Sequence, residues 1–320
     1  MTIVSVILLS AIIISFNLLS KQVINIGIND WTGYDPFIIA DKQALFKQQD
    51  LNLNVIRYKS ADEGIQALKN GEIKGATLTL DEAVILHKSG FRVKTVLIID
   101  FSSGGDMIIG QSSIKDMSMI AGKRVGYEGS LVGEFLLHRA LSNNQINITD
   151  IELVSVSSDN WLSAFKNKKI DALVCYNPDA TTLLKHNNAQ LLFSSKEIPY
   201  EIIDVLVFEE QFFYNNKIAI QKIVSTWFNA LDFIKRDINT AIDIIAQEKK
   251  INIAEYKDTL AQLISPDLKQ NQQLFDENSQ QNIYKYSQVT IDFLLDKGLL
   301  SSRVNTDEFF TSEIITTLKN

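Results

Sequence analysis

Short runs in which every second residue is apolar alternate, along this chain, with longer stretches in which apolar residues recur every three or four positions. Val23–Ile28 and Leu51–Tyr58 carry the two-residue pattern of half-buried strands. Between them Phe37, Ile38, Ala40, Ala44 and Leu45 share one face of a predicted helix over Phe37–Gln48, with Asp35 placed to cap it and Pro36 to open it. Ser60 and Glu63 have capping-box spacing before a helix that stops at Gly71. Gly75–Leu80 reads as a strand, and Asp81 caps a further helix ending at Gly90. Val93–Asp100 is apolar for most of its length, the mark of a strand buried on both faces. The first part of the chain is therefore βαβαβαβ.

A Gly-Ser segment without periodicity, Phe101–Asp106, leads to a strand at Met107–Gly110. From Lys123 to Tyr176 the pattern is βαβαβ. A strand enters Gly129-Ser130, Leu131–Leu141 forms a helix, and Ile151–Val156, Asn160–Asn167 and Ile170–Tyr176 follow as strand, helix and strand. Pro178 opens the next helix at its first position. Parallel strands place binding groups in the turns at their carboxyl ends. Asp204–Phe208 is a returning strand, after which Ile218–Arg236, Asn239–Glu248, Ile253–Ile264 and Ser279–Lys297 have helical spacing. These helices are too polar for a core of their own and should pack around the first lobe. The expected division is 1–22 as a targeting segment, 23–104 with 205–320 as one lobe, and 105–204 as the other. Two crossings make a hinge, and a hinge between two α/β lobes places a ligand in the cleft.

Composition removes several function classes. The 320 residues, 46% hydrophobic and 22% charged, suit two lobes, and the net charge of −7 offers no basic stretch for nucleic acid. The single cysteine, Cys175, precludes an intramolecular disulfide and reads as a buried strand residue. His87, His138 and His186 lie far apart, so neither a metal site nor a cofactor is expected. Ser102, Ser103 and Ser130 have no histidine in any matching motif, so no enzyme is expected. Residues Ile3–Leu19 are almost wholly apolar and uncharged, which predicts export, by a cleaved signal or a retained anchor.

Several segments in order resemble the periplasmic solute-binding proteins of ABC transporters, in the nitrate/sulfonate/taurine and thiamine-precursor branch. They are Trp31-Thr32-Gly33-Tyr34 with Pro36, Gly71–Ala76, Gly122–Gly126, Lys169–Ala172 with Asn177-Pro178, Ile203–Val207 and Trp227–Leu231. The resemblance covers residues 23–300. It implies a type II periplasmic binding protein fold: two α/β lobes, two crossover segments and a closing cleft. It also implies a periplasmic location and delivery of a small-molecule solute to an ABC transporter membrane permease by a monomer. Asn177 departs from the acidic residue many relatives carry before the proline.

At the cleft, Trp31 and Tyr34 would present aromatic walls from an exposed loop. Thr79 and Asp81 close a strand, Gly129 and Ser130 open a helix whose N–H groups could bind an anion, and Tyr176 and Asn177 end the third strand of the second lobe. Asp100 and Asp106 flank one crossing and Asp204 heads the other. Four carboxylates and no arginine in these loops favour a cationic or zwitterionic amine. The alternatives are a membrane-tethered sensor using the same cleft, and an anion binder for nitrate, sulfonate or taurine.

Overall fold

The computed structural model describes residues 23–185 and 188–319. The apolar segment Ile3–Leu19 and His186 lie outside the described residues. Two mixed sheets form the framework. The six-stranded sheet holds β1 (Ile24–Ile28), β2 (Leu53–Arg57), β3 (Gly75–Thr79) and β4 (Val93–Ser102). The five-stranded sheet takes β5 (Asp106–Gln111), β6 (Arg124–Tyr127), β7 (Glu152–Ser155), β8 (Ala172–Tyr176) and β9 (Ala189–Ser194). The chain then returns to the first sheet with β10 (Ile203–Glu209) and β11 (Leu263–Ile264). The orders are β11-β4-β10-β3-β1-β2 and β7-β6-β8-β5-β9.

Most strand and helix expectations match, and the differences have local causes. The first helix ends at Lys42 instead of Gln48, because Ala44 takes a left-handed backbone (φ 52°) before a separate turn at Leu45–Gln48. Asp35 is its first residue and caps nothing: its carboxylate is turned into a buried ion pair with Lys249. Thr79, not Asp81, is the cap of helix Leu80–Lys88. Glu82 at the third helical position accepts a hydrogen bond from Thr79 N–H at 3.0 Å, so the capping box starts two residues earlier. Pro178 precedes helix Asp179–Leu184 instead of opening it. The expected helix Ile253–Ile264 stops at Leu260, and Leu263–Ile264 pairs with the end of β4. Beta4 runs on to Ser102 and β5 begins at Asp106, which reduces the Gly-Ser crossing to Ser103–Gly105.

Helix Lys217–Arg236 packs across the first helix, with the Trp227 ring 4.8 Å from Phe37. Both rings are fully buried, each worth about 1.5–3 kcal/mol or more by transfer from water. Edge strand β4 is covered partly by β11 and partly by Asn271, whose side-chain amide accepts from Ile98 N–H at 3.0 Å and donates to Ile98 C=O at 3.1 Å. Among the described residues, no helix is long and apolar enough to cross a membrane.

Candidate functional site

The carboxyl ends of the parallel strands of the two sheets face one another, and acidic side chains collect there. In the first sheet β10 runs antiparallel between β3 and β4, which sets Asp204 opposite Thr79 on one side and Asp100 on the other. The turn after β1 closes over this row. Trp31 donates its indole N–H to Asp100 Oδ2 at 3.2 Å, and the Tyr34 hydroxyl donates to Asp204 Oδ1. Trp31 and Tyr34 are thus buried, at 8% and 1% exposure, where exposed pocket walls were expected. A buried carboxyl requires a donor, and these two ring groups supply it. Gly33 has to be glycine here, since a Cβ would stand 1.8 Å from Asp100 Oδ2. Asp81 is also buried, and its Oδ2 has no hydrogen-bond partner.

In the second sheet Asp106, first residue of β5, pairs in register with Tyr176, last residue of β8. Beta6 ends beside them at Tyr127, and Gly129 with φ +90° turns the chain into helix Leu131–Asn143. Ser130 caps that helix, accepting from Gly133 N–H at 3.3 Å. A recess opens here, lined by Asp106, Glu128, Ser130 and Tyr176 with the apolar Leu136 and Trp161. Tyr176 stands edge-on to Trp161 (ring centroids 5.0 Å) and to Trp31 of the first sheet (6.2 Å), and its hydroxyl donates to Glu128. Asp106 is fixed by its own N–H, which donates to Ser102 Oγ at 3.2 Å, and Ser102 is bonded to Ser195 at 2.7 Å beside the crossing.

Of the residues singled out from sequence, Asp106, Ser130 and Tyr176 line the recess. Trp31 touches its edge through Tyr176, while Tyr34, Asp100 and Asp204 form a sealed row behind. Thr79 and Asp81 lie at the same end of the first sheet, Gly129 sits in the turn, and Asn177 points to the flank. Neither the Glu128 carboxyl nor Glu82 is among the site residues that the sequence singles out. Glu128 could have been found from its place just ahead of the Gly129-Ser130 turn. The arginines are engaged elsewhere: Arg57 with Asp30, Arg92 with Glu210, Arg124 with Asp171 and Arg139 with Glu201.

The electrostatics follow from burial without counter-charge. Burial, and then the neighbouring Asp106, push Asp100 up to about 7. Burial, with Asp81 and Glu128 adding to it, pushes Asp106 up to about 7, against a lowering hydrogen bond from Ser102. Glu82 is raised to about 8 by burial and by Asp81. Burial and Asp100 hold Asp204 well above the usual carboxylate range, and burial also raises Asp81 and Glu128. These six acids therefore hold protons more tightly than free carboxyls. Among the described residues none of the six is ion-paired to a basic side chain, although the chain's other buried acid, Asp35, is. Cys175 is on the recess wall, and burial pushes its thiol well up, as expected for an inert strand cysteine. Among the described residues no His, Cys, Asp and Glu are grouped to hold a metal ion.

Known proteins resemble this chain in sequence and in fold. A candidate binding protein of Brucella abortus (strain 2308) is 25% identical over 232 residues, 71% of each chain. The alkanesulfonate-binding protein SsuA from Xanthomonas axonopodis pv. citri, solved with MOPS bound, superposes with a TM-score of 0.75 at 17% identity, over 91% of this chain and 99% of its own. The same architecture also houses an enzyme, the desulfurization enzyme DSZB, with a TM-score of 0.68 at 14% identity over 92% and 98% of the two chains. The two-sheet frame is thus that of the periplasmic binding proteins, and what it does must be read from its own side chains. The model of the NMT1-like family matches residues 19–247, and the chain belongs to that family.

Proposed function

We propose that this protein is an exported solute-binding protein that captures a small amine, cationic or zwitterionic, between its lobes and passes it to an ABC-type permease while working as a monomer. Its family, its binding-protein frame and the Brucella relative's description support the binding role. The observation that carries the ligand reading is the set of six buried or half-buried acids at one cleft, Asp81, Glu82, Asp100, Asp106, Glu128 and Asp204, with no basic partner among the described residues.

Within that set, Asp106 and Glu128 are the seat for an ammonium group. Both line the recess, whereas Trp31 and Tyr34 already engage Asp100 and Asp204. Leu136 and Trp161, both fully buried, form the apolar floor of the recess, whose volume of about 10 Å³ seats an ammonium-sized group, and Tyr176 stands beside it as an aromatic wall. An arriving ammonium draws the Asp106 carboxyl, raised to about 7, into its charged form, so capture releases a proton near neutral pH. An anion at the start of helix Leu131–Asn143 would meet Glu128 and Asp106 first, which disfavours sulfonate or nitrate at this recess. Catalysis has no support in the site: Ser130 is spent as a helix cap, and no histidine lines the recess.

A thermal-shift screen of residues 21–320 against amines, amino acids, pyrimidines, sulfonates, nitrate and bicarbonate tests this. A solute at a hundred times its Kd adds about 2.7 kcal/mol. Stabilisation by amines, absent in Asp106→Asn, is the expected result. Stabilisation by sulfonate or nitrate alone would overturn the ligand reading.

A further inference from the structure

Elements of the first lobe hold the second lobe from two flanks, and both grips start at residues next to the recess. On one flank, helix Leu131–Asn143 lines the recess with its first turns and presents its outer face to helix Ile283–Asp296. There Phe135 meets Phe293 edge-on at 5.1 Å, His138 lies 5.3 Å from the same ring, and Glu134 pairs with Lys297 at 2.5 Å. On the other flank Lys185 pairs with Asp258 at 3.6 Å, and a side-chain hydrogen bond joins Asn177, the residue after Tyr176, to Gln262 at 2.7 Å.

The chemistry of that bond is fixed by its surroundings. Asn177 Oδ1 accepts from Thr181 N–H at 3.2 Å and from the Thr181 hydroxyl at 2.6 Å. A backbone N–H can only donate, so the amide orientation is set and Asn177 Nδ2 must be the donor to Gln262 Oε1. Gln262 is itself anchored by its backbone: its N–H donates to Thr259 C=O at 3.1 Å, and its C=O accepts from Ser103 N–H at 2.9 Å. Ser103 begins the crossing between the sheets, and Asn177 N–H donates to Gly105 C=O at 3.0 Å at the crossing's other end. One glutamine thus touches both the hinge segment and the strand end that carries Tyr176.

We propose that Gln262 is a positioning residue for capture: by accepting from Asn177 it holds the end of β8 against the first lobe, and with the Glu134–Lys297 grip opposite it clasps the two lobes over the recess. This goes beyond the binding reading and does not depend on which solute is bound. An asparagine at 177 is what allows Gln262 to serve as acceptor.

Donor and acceptor chemistry makes the test specific. In Gln262→Glu the carboxylate still accepts from Asn177, and in Asn177→Asp the Gln262 amide can turn and donate. In the double variant two carboxylates face each other and the bond is lost. The readout is acrylamide quenching of tryptophan in the solute-free protein. Trp227 is fully buried away from the cleft, whereas Trp31 and Trp161 both pack against Tyr176 at the recess, so opening raises the exposure of these two and leaves Trp227 unchanged. The expected result is a quenching constant close to wild type in each single variant and at least twofold higher in the double variant, with a larger radius of gyration in X-ray scattering. Equal quenching in all four proteins would overturn the clasp, as would a rise in Gln262→Glu as large as in the double variant. Neither readout uses a solute, so this outcome is separate from that of the ligand screen.

Discussion

Replacing Asp106 by Asn tests whether the acidic cleft is held at a cost that solute binding relieves. The side chains are nearly equal in size, and the Asn carbonyl can accept the hydrogen bond that Ser102 supplies to the carboxyl. In the folded protein Asp106 is raised from 3.8 to about 7, chiefly by burial. The native state therefore keeps this proton after the unfolded chain has lost it, and stability falls as pH rises through that window. The contribution is complete below about pH 4 and gone above about pH 7. Three units at 1.36 kcal/mol each amount to about 4 kcal/mol, an upper figure because the neighbouring acids share the proton balance. Asn carries no such proton. The variant should match wild type at pH 4 and exceed it by up to about 4 kcal/mol at pH 8, or roughly 8 °C in melting temperature at about 2 °C per kcal/mol. Differential scanning fluorimetry of both proteins from pH 4 to pH 8 reads this directly. A gap that stays constant with pH, or that favours wild type at pH 8, would refute the reasoning.

Two further substitutions probe what holds the site's supports. Lys249→Met strands the Asp35 carboxylate, which is paired with Lys249 at 2.5 Å where both side chains are buried. Urea unfolding at pH 7 should show a loss of about 3–5 kcal/mol that shrinks toward acid pH as Asp35 takes a proton, and Asp35→Asn added to it should recover part; a loss below about 1 kcal/mol would contradict this. Asn271→Leu removes the side-chain partners of Ile98 N–H and C=O on β4 and should cost about 3 kcal/mol in urea unfolding. Faster amide exchange at Ile98 should accompany it, and unchanged exchange there would show that another group covers the strand.

Periodicity and turn chemistry made most of the fold legible. Ser60 does accept from Glu63 N–H, and Ser130 does cap the helix that opens at the recess. Where local reading failed, the deciding partner was distant or the competing signals lay within a few residues. Thr79 and Asp81 can each cap the same helix, and the hydrogen bond from Thr79 N–H to Glu82 selects the earlier start. Leu263–Ile264 looks helical by itself and becomes a strand because the edge of β4 offers it partners.

The sequence by itself determined that strands and helices alternate, that binding groups gather in the turns at strand ends, and that those turns are acidic and free of arginine, because each follows from spacing and residue type within one segment. Only the tertiary structure decided which acids are sealed and which face the recess. Tyr34 reaches Asp204 across 170 positions, and Asn177 reaches Gln262 across 85. Such pairings are fixed by sheet order and strand direction, through β10 running antiparallel between β3 and β4. A carboxyl's proton affinity depends on the water and charges around it once those strands have met, so it is a property of the assembled cleft and not of the residue.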